Sequence, residues 1–328
     1  MKSSKKRNQV LLVILILSVV LVGLTGCQQK KELATIRYGG QLYPEEYLLK
    51  GDPSFWTNQG INVEHTLFSS GAEGNQALIA GNVDINIGSD SKVIELFGAM
   101  PGKVVIIATA QRGDRYSTMI KADATYTSWE DLKGKKIGIR NGTGAEQVVR
   151  RFFEKNKLNW EDYEWVNMKI EDMTAALTAG QIEAFTAWEP TPAIAEAQGA
   201  AKVMMSYGDI ALTPVLIQTT EEFAKAHHDE LVRFLAAHLK KAELIKSDPQ
   251  KAAEIAAQAA SASGSEVSPD AFKTIFERVD FSLDLDDNVK AAVLDTGDFL
   301  LNAGTIKEVP ELKWDSSYLD EAKKLIGK

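Results

Sequence analysis

Apolar positions along this chain alternate every second residue in some stretches and recur every third or fourth in others, and the two periods follow one another in regular order. Residues 61–68 read as a strand that runs into Ser69-Ser70-Gly71, where a helix opens and continues to Ala80. Gly81 closes that helix, and a second strand, 83–87, ends at Gly88-Ser89-Asp90. A right-handed crossover makes these strands parallel and brings their carboxyl ends to one edge of the sheet, where α/β proteins hold ligands. Each end also opens a helix, whose unpaired N–H groups and positive dipole end suit an anion or a hydrogen-bond acceptor.

The unit recurs. Residues 176–189 align without a gap under 77–90, at a constant offset of 99, with Ala, Leu, Ala and Gly identical. Asn82/Gln181, Val83/Ile182, Asp84/Glu183 and Asp90/Glu189 pair conservatively. The chain is therefore expected to hold two similar α/β lobes, with Ser89-Asp90 and Trp188-Glu189 at equivalent strand ends turned toward one cleft.

The remaining pattern fills in both lobes. A strand at 34–38 breaks at Gly39-Gly40-Gln41, a helix begins at Pro44, and a helical turn surrounds Phe55-Trp56. A helix runs from Asp90 to Met100, followed by a β-branched strand at 104–108. The polar link 111–115 is the expected first crossing between lobes. Strands at 116–120, 135–140, 164–169 and 203–206 belong to the second lobe, together with the amphipathic helix that opens after Asn141-Gly142-Thr143-Gly144. Tyr207-Gly208-Asp209 and Pro214 mark the return crossing. Beyond Glu221 the periodicity is helical, with helices at 229–246, 249–260, 269–279, 289–301 and 316–326 expected to pack on the first lobe. The predicted architecture is α/β, with residues 34–112 and 210–328 in lobe one and 113–209 in lobe two.

The amino terminus departs from this pattern. Lys5-Lys6-Arg7 precedes an apolar run over 10–22 broken only by Ser18, and Leu24-Thr25-Gly26-Cys27 follows. This resembles a bacterial lipoprotein signal, which implies removal of residues 1–26, a lipid on Cys27 and a tether over 27–33. A spanning helix would need ~20 apolar residues, more than the run supplies. Removal of Lys2, Lys5, Lys6 and Arg7, with no acid among 1–26, takes the formal charge from −8 to −12. So acidic a chain is a poor partner for nucleic acid.

Candidate chemistry is narrow. Cys27 is the single cysteine, which excludes a disulfide and a cysteine metal cluster. His65, His227, His228 and His238 are not spaced as metal ligands, and no Gly-x-Ser-x-Gly occurs. Gly142-Thr143-Gly144 imitates a dinucleotide fingerprint, but Gln147 stands where the third glycine belongs. No catalytic residue, cofactor or metal is expected.

The segments 68–85, 129–138 and 176–190, in this order and spacing, resemble the periplasmic binding proteins of nitrate, sulfonate and taurine importers. The resemblance implies a two-lobed, type II periplasmic-binding fold that captures a small solute between its lobes. It also implies delivery to an ABC permease in the membrane, by a monomer held outside the cytoplasm through Cys27. The ligand residues expected from lobe one are Gly40, Gln41, Ser69, Ser70, Gly71, Ser89 and Asp90, and from lobe two Asn141, Thr143, Gly144, Trp188 and Glu189. Arg112 and Arg115 are expected either to balance the acids and meet an anionic ligand or to form ordinary salt bridges. Asp90 and Glu189 either complement helix dipoles or face the cleft; in the cleft they would favour an amine or a thiamine-precursor pyrimidine over an organic anion. An enzyme of the pyrimidine-synthase type is a third possibility, although the cysteine-rich motif of those enzymes is missing.

Overall fold

A computed structural model describes residues 34–265 and 267–328. The expected signal segment and tether, with Cys27, lie outside the described residues. Among the described residues no helix is long and apolar enough to cross a membrane.

Among the described residues, ten strands form two mixed five-stranded sheets. The first contains β1 (Ala34–Gln41), β2 (Ile61–Phe68), β3 (Ile85–Ser89), β4 (Val104–Gln111) and β10 (Val215–Thr220), in the order β2-β1-β3-β10-β4. The second contains β5 (Tyr116–Lys121), β6 (Lys136–Ile139), β7 (Glu164–Asn167), β8 (Ala184–Trp188) and β9 (Ala201–Ser206), in the order β7-β6-β8-β5-β9. One topology is thus written twice. In each sheet the strand that enters from the other one, β10 or β5, runs antiparallel between the third and fourth strands.

The 99-residue offset holds down to individual pairings. Tyr38 faces Ile85 and Ile137 faces Ala184, while Ser89 faces Val215 and Trp188 faces Tyr116. Gly81 and Gly180 adopt φ of +71° and +70°, a left-handed turn open to glycine without penalty. The backbone N–H after each glycine donates back to Ala77 or Ala176, at 2.8 and 2.9 Å.

The helices before the return crossing are α1 (Pro44–Gly51), α2 (Ser54–Thr57), α3 (Gly71–Ile79), α4 (Asp90–Ala99), α5 (Gly144–Asn156), α6 (Ile170–Thr178) and α7 (Thr191–Ala197). After it come α8 (Glu221–Ala226), α9 (His228–Ser247), α10 (Pro249–Ala262), α11 (Pro269–Arg278), α12 (Asp287–Asn302) and α13 (Ser317–Leu325). From α9 onward every helix end lies within two residues of the place its periodicity predicts. Alanines 252, 253, 256 and 260 of α10 are fully buried in the core around the first sheet, so the alanine-rich stretch is a packing face.

Three features differ from expectation. β1 does not break at Gly39 but continues to Gln41, because Gly39 and Gly40 pair with Thr66 and Leu67 of β2. β3 runs two residues further, to Ser89, so that α4 starts at Asp90 without a loop. The segment 215–220, to which the periodicity assigned no element, is the interior strand β10, fully buried through Thr219.

Candidate functional site

A cavity of about 640 Å³ lies between the carboxyl edges of the two sheets. Four helices of nine residues or more begin on it: α3 at Ser70-Gly71, α4 at Ser89, α5 at Thr143-Gly144 and α6 at Lys169-Ile170. Two of these starts come from each sheet's body, as the repeat requires. Each terminus leaves backbone N–H groups without partners within its own helix, and each carries the positive end of a helix dipole.

Local sequence explains how these turns hold their shape. Ser70 Oγ accepts from Glu73 N at 3.3 Å, and Glu73 in return accepts from Ser69 N and Oγ at 3.1 and 2.9 Å. In the second lobe Gly142 N donates to Glu146 Oε2 at 2.7 Å and Thr143 Oγ1 donates to the Arg140 carbonyl at 2.7 Å. Gln41 is anchored by its Nε2, which donates to the Ile87 carbonyl at 3.0 Å. That bond leaves its amide oxygen free to accept.

Side-chain charge around the cavity balances. Lys92, Arg140 and Lys169 line it, as do Glu73, Glu171 and Asp172. Glu73 is engaged with Ser69, and Lys92 Nζ lies 2.6 Å from Glu95 Oε1. With formal charges cancelling, the helix N-termini and the hydroxyl protons still uncommitted, on Ser70 and on one of the Ser89–Ser91 pair, set the polarity. Those groups favour an acceptor-rich or anionic guest.

Tyr43 and Tyr116 form the floor, almost fully buried. Behind them Arg115 is buried, with its guanidinium 4.5 Å from the Tyr116 ring centroid and 5.7 Å from that of Tyr43. Arg115 Nη2 donates to the Tyr116 hydroxyl at 2.9 Å, so the phenolic proton is left for another acceptor. Gly144 makes this position possible, since a Cβ there would lie 2.1 Å from Tyr116 Oη.

Of the fourteen residues expected at the site, the cavity gathers Gln41, Ser69, Ser70, Gly71, Ser89, Asn141, Thr143, Gly144 and Trp188. Gly40, Asp90, Arg112, Arg115 and Glu189 do not line it. A Cβ on Gly40 would meet His65 Nε2 at 2.5 Å and Glu46 Oε2 at 2.6 Å, inside the first lobe. Arg112 ion-pairs with Asp280 at 2.8 Å and Asp286 at 2.7 Å. Asp90 is buried, accepting from Thr296 Oγ1 at 2.7 Å and Ser91 N at 2.8 Å. Glu189 is buried against Arg278 Nη1 at 2.8 Å and accepts from Ala193 N at 3.1 Å. Burial raises the pKa of Asp90 against the Thr296 bond, and pushes that of Glu189 up to about 7 against the nearby Arg278. Both carboxylates are thus bonded within the protein and do not line the cavity.

The cavity is also lined by residues that the sequence reading did not name for the site: Tyr43, Ala72, Glu73, Ser91, Lys92, Tyr116, Arg140, Gly142 and the stretch 169–172. One signal could have found some of them. The rule that strand ends open helices at the ligand edge applies equally to β7, and it places Lys169 there.

The NMT1/THI5-like family model matches residues 49–252. A Brucella abortus protein provisionally named a binding protein is 29% identical over 143 residues, 43% of this chain and 43% of its own length. The match thus spans less than half of that relative. A Bacillus subtilis protein provisionally named aliphatic sulfonates-binding is 23% identical over 258 residues, covering 76% of this chain and 77% of its own.

Among solved structures, the periplasmic aliphatic sulphonate binding protein SsuA of Escherichia coli superposes with a TM-score of 0.73 at 17% identity, covering 87% of this chain and 99% of that one. SsuA of Xanthomonas axonopodis pv. citri, bound to MOPS, gives 0.70 at 19%, covering 85% and 96%. The desulfurization enzyme DSZB gives 0.67 at 14%, covering 89% and 99%. These likenesses show a two-lobed periplasmic-binding fold, one that an enzyme also uses. Since the family model takes in well over half of the sequence, this chain belongs to the NMT1/THI5-like family.

Proposed function

We propose that this chain is an extracytoplasmic solute-binding protein of an ABC importer, anchored through a lipid on Cys27, that captures a small organic anion and delivers it to the permease without chemical change. The anion is a sulfonate, a nitrate-like ion or a carboxylate. The observation that carries this reading is the convergence of four helix N-termini on one cavity whose side-chain charges cancel. A guest held by both lobes binds the closed arrangement better than an open one, which is the condition for capture. The working unit is a monomer, since each lobe supplies half of the site.

The rival guest, an amine or pyrimidine, had Asp90 and Glu189 as its motive; their carboxylates bond Thr296 and Arg278, which supports the anion reading instead. A thermal-shift screen of the purified chain against sulfonates, nitrate, carboxylates, amines and pyrimidines tests the reading. An anion is expected to stabilise the chain by about 2.7 kcal/mol at a hundredfold excess over its Kd. Stabilisation by amines alone, or consumption of a hit by the chain on its own, overturns it.

A further inference from the structure

Trp188 separates two cavities. On one side is the polar chamber; on the other is a compartment of about 870 Å³ that shares Ser69, Ile170, Glu171 and Trp188 with it. The second compartment is differently built. Its wall includes Leu42 and Val267 from the first lobe and Ala175, Ala179 and Ile194 from the second. Leu42 is a large apolar side chain left 37% exposed. Among the described residues no basic side chain lines this compartment, and Glu171 is its one charged group. A second anionic group would therefore find no cation there, only the Glu171 carboxylate and neutral polar groups such as those of Thr174, Thr178, Thr191, Gln198 and Ser265, whereas hydrocarbon would cover apolar surface from both lobes.

Resting on the anion reading, we infer that the cargo is an organic anion with a bulky apolar body, an aryl or long-chain sulfonate or carboxylate, whose head sits in the polar chamber. Its body passes Trp188 into the second compartment. Trp188 already packs against hydrophobic clusters of both lobes, so a ring or chain beside it extends an existing apolar contact. The volume suits a body of that size. Nitrate and short sulfonates fill only the polar half, and they leave unused the apolar contact that favours closure.

Isothermal titration of the full chain with methanesulfonate, butanesulfonate, octanesulfonate and naphthalene-2-sulfonate tests this. Affinity is expected to rise about fourfold per added methylene until the compartment is filled. Ala175→Trp, at an exposed position on α6 that lines only the second compartment, is expected to cut the octanesulfonate-to-methanesulfonate affinity ratio roughly tenfold. Sulfonates that bind with equal affinity at every length overturn the apolar-body inference and leave the anion reading standing, as does a ratio untouched by Ala175→Trp. If no member of the series binds, the anion reading falls as well.

Discussion

Arg115, in the first connection between the sheets, donates from Nε to the carbonyl oxygen of Thr213, in the second, at 2.8 Å. Gly113 N donates to the Leu212 carbonyl beside it at 2.7 Å, so the two connections are laced into one hinge. Thr213 has φ of +41°, a left-handed conformation that disfavours a β-branched residue and persists because its surroundings hold it. The same guanidinium reaches the Tyr116 hydroxyl, which couples the hinge to the floor of the cavity.

Arg115→Met removes both hydrogen bonds and leaves the Thr213 carbonyl without this donor. A loss of about 1–3 kcal/mol in unfolding free energy is expected, read from urea denaturation. The affinity for the best anion should fall with it, because Tyr116 loses the donor that orients its proton. Unchanged affinity would separate the hinge from the site.

Gly144→Ala places a methyl group against Tyr116 Oη and Cζ, 2.1 and 2.8 Å from an ideal Cβ. Tyr116 must move, and ligand affinity is expected to drop at least about tenfold. Because the closest clash involves the hydroxyl, adding Tyr116→Phe should make the double variant less destabilised than the sum of the two single ones. A denaturant double-mutant cycle measures that coupling.

Glu189 predicts a pH dependence. Its carboxyl titrates near 7 in the folded chain against 4.5 for an ordinary glutamate. Between those values the folded state holds more protons than the unfolded one, so this group's contribution to stability falls as pH rises from about 4.5 to 7. Burial likewise pushes Glu45 up to about 8, with the same sign, in a background that the variant shares. Glu189→Gln should flatten the decline in unfolding free energy across this window, by an amount on the order of 1–3 kcal/mol, read from urea denaturation at each pH. Equal slopes for both proteins would refute the assignment.

Gly81 and Gly180 test the repeat. Each is left-handed, and a Cβ at either has nothing within 4 Å, so alanine there meets only the backbone penalty. Gly81→Ala and Gly180→Ala should each cost about 1–2 kcal/mol, and they should cost the same. Calorimetric melting temperatures compare them directly.

Much of the architecture is legible in the chain itself. The helix–glycine–strand signal at 77–87 and its copy 99 residues on rest on neighbouring residues, and the structure adds the matching registers of Tyr38 with Ile85 and of Ile137 with Ala184. β10 was not legible. Val215–Thr220 pairs with β3 and β4, more than a hundred residues earlier, and its short apolar run has no local mark that distinguishes a central strand from a connection. The direction of the strand-end acids was not legible. Asp90 opens α4 and Glu189 follows the end of β8, so strand alternation governs neither, and their partners Thr296 and Arg278 come from distant helices.

What the sequence determined by itself is therefore the twofold α/β plan, the strand ends that open helices, and the serine, threonine and glycine turns that line the cavity. These depend on periodicity, capping and backbone freedom, which act over a few residues. Only the tertiary structure decided that Thr296 and Arg278 claim Asp90 and Glu189, that Arg115 lies behind Tyr116, and that an apolar compartment adjoins the polar one. Those outcomes depend on α11, α12 and the return connection, which meet the strand ends across about a hundred residues or more of chain. A buried charge is committed by whichever partner packing brings to it, and local sequence does not name that partner.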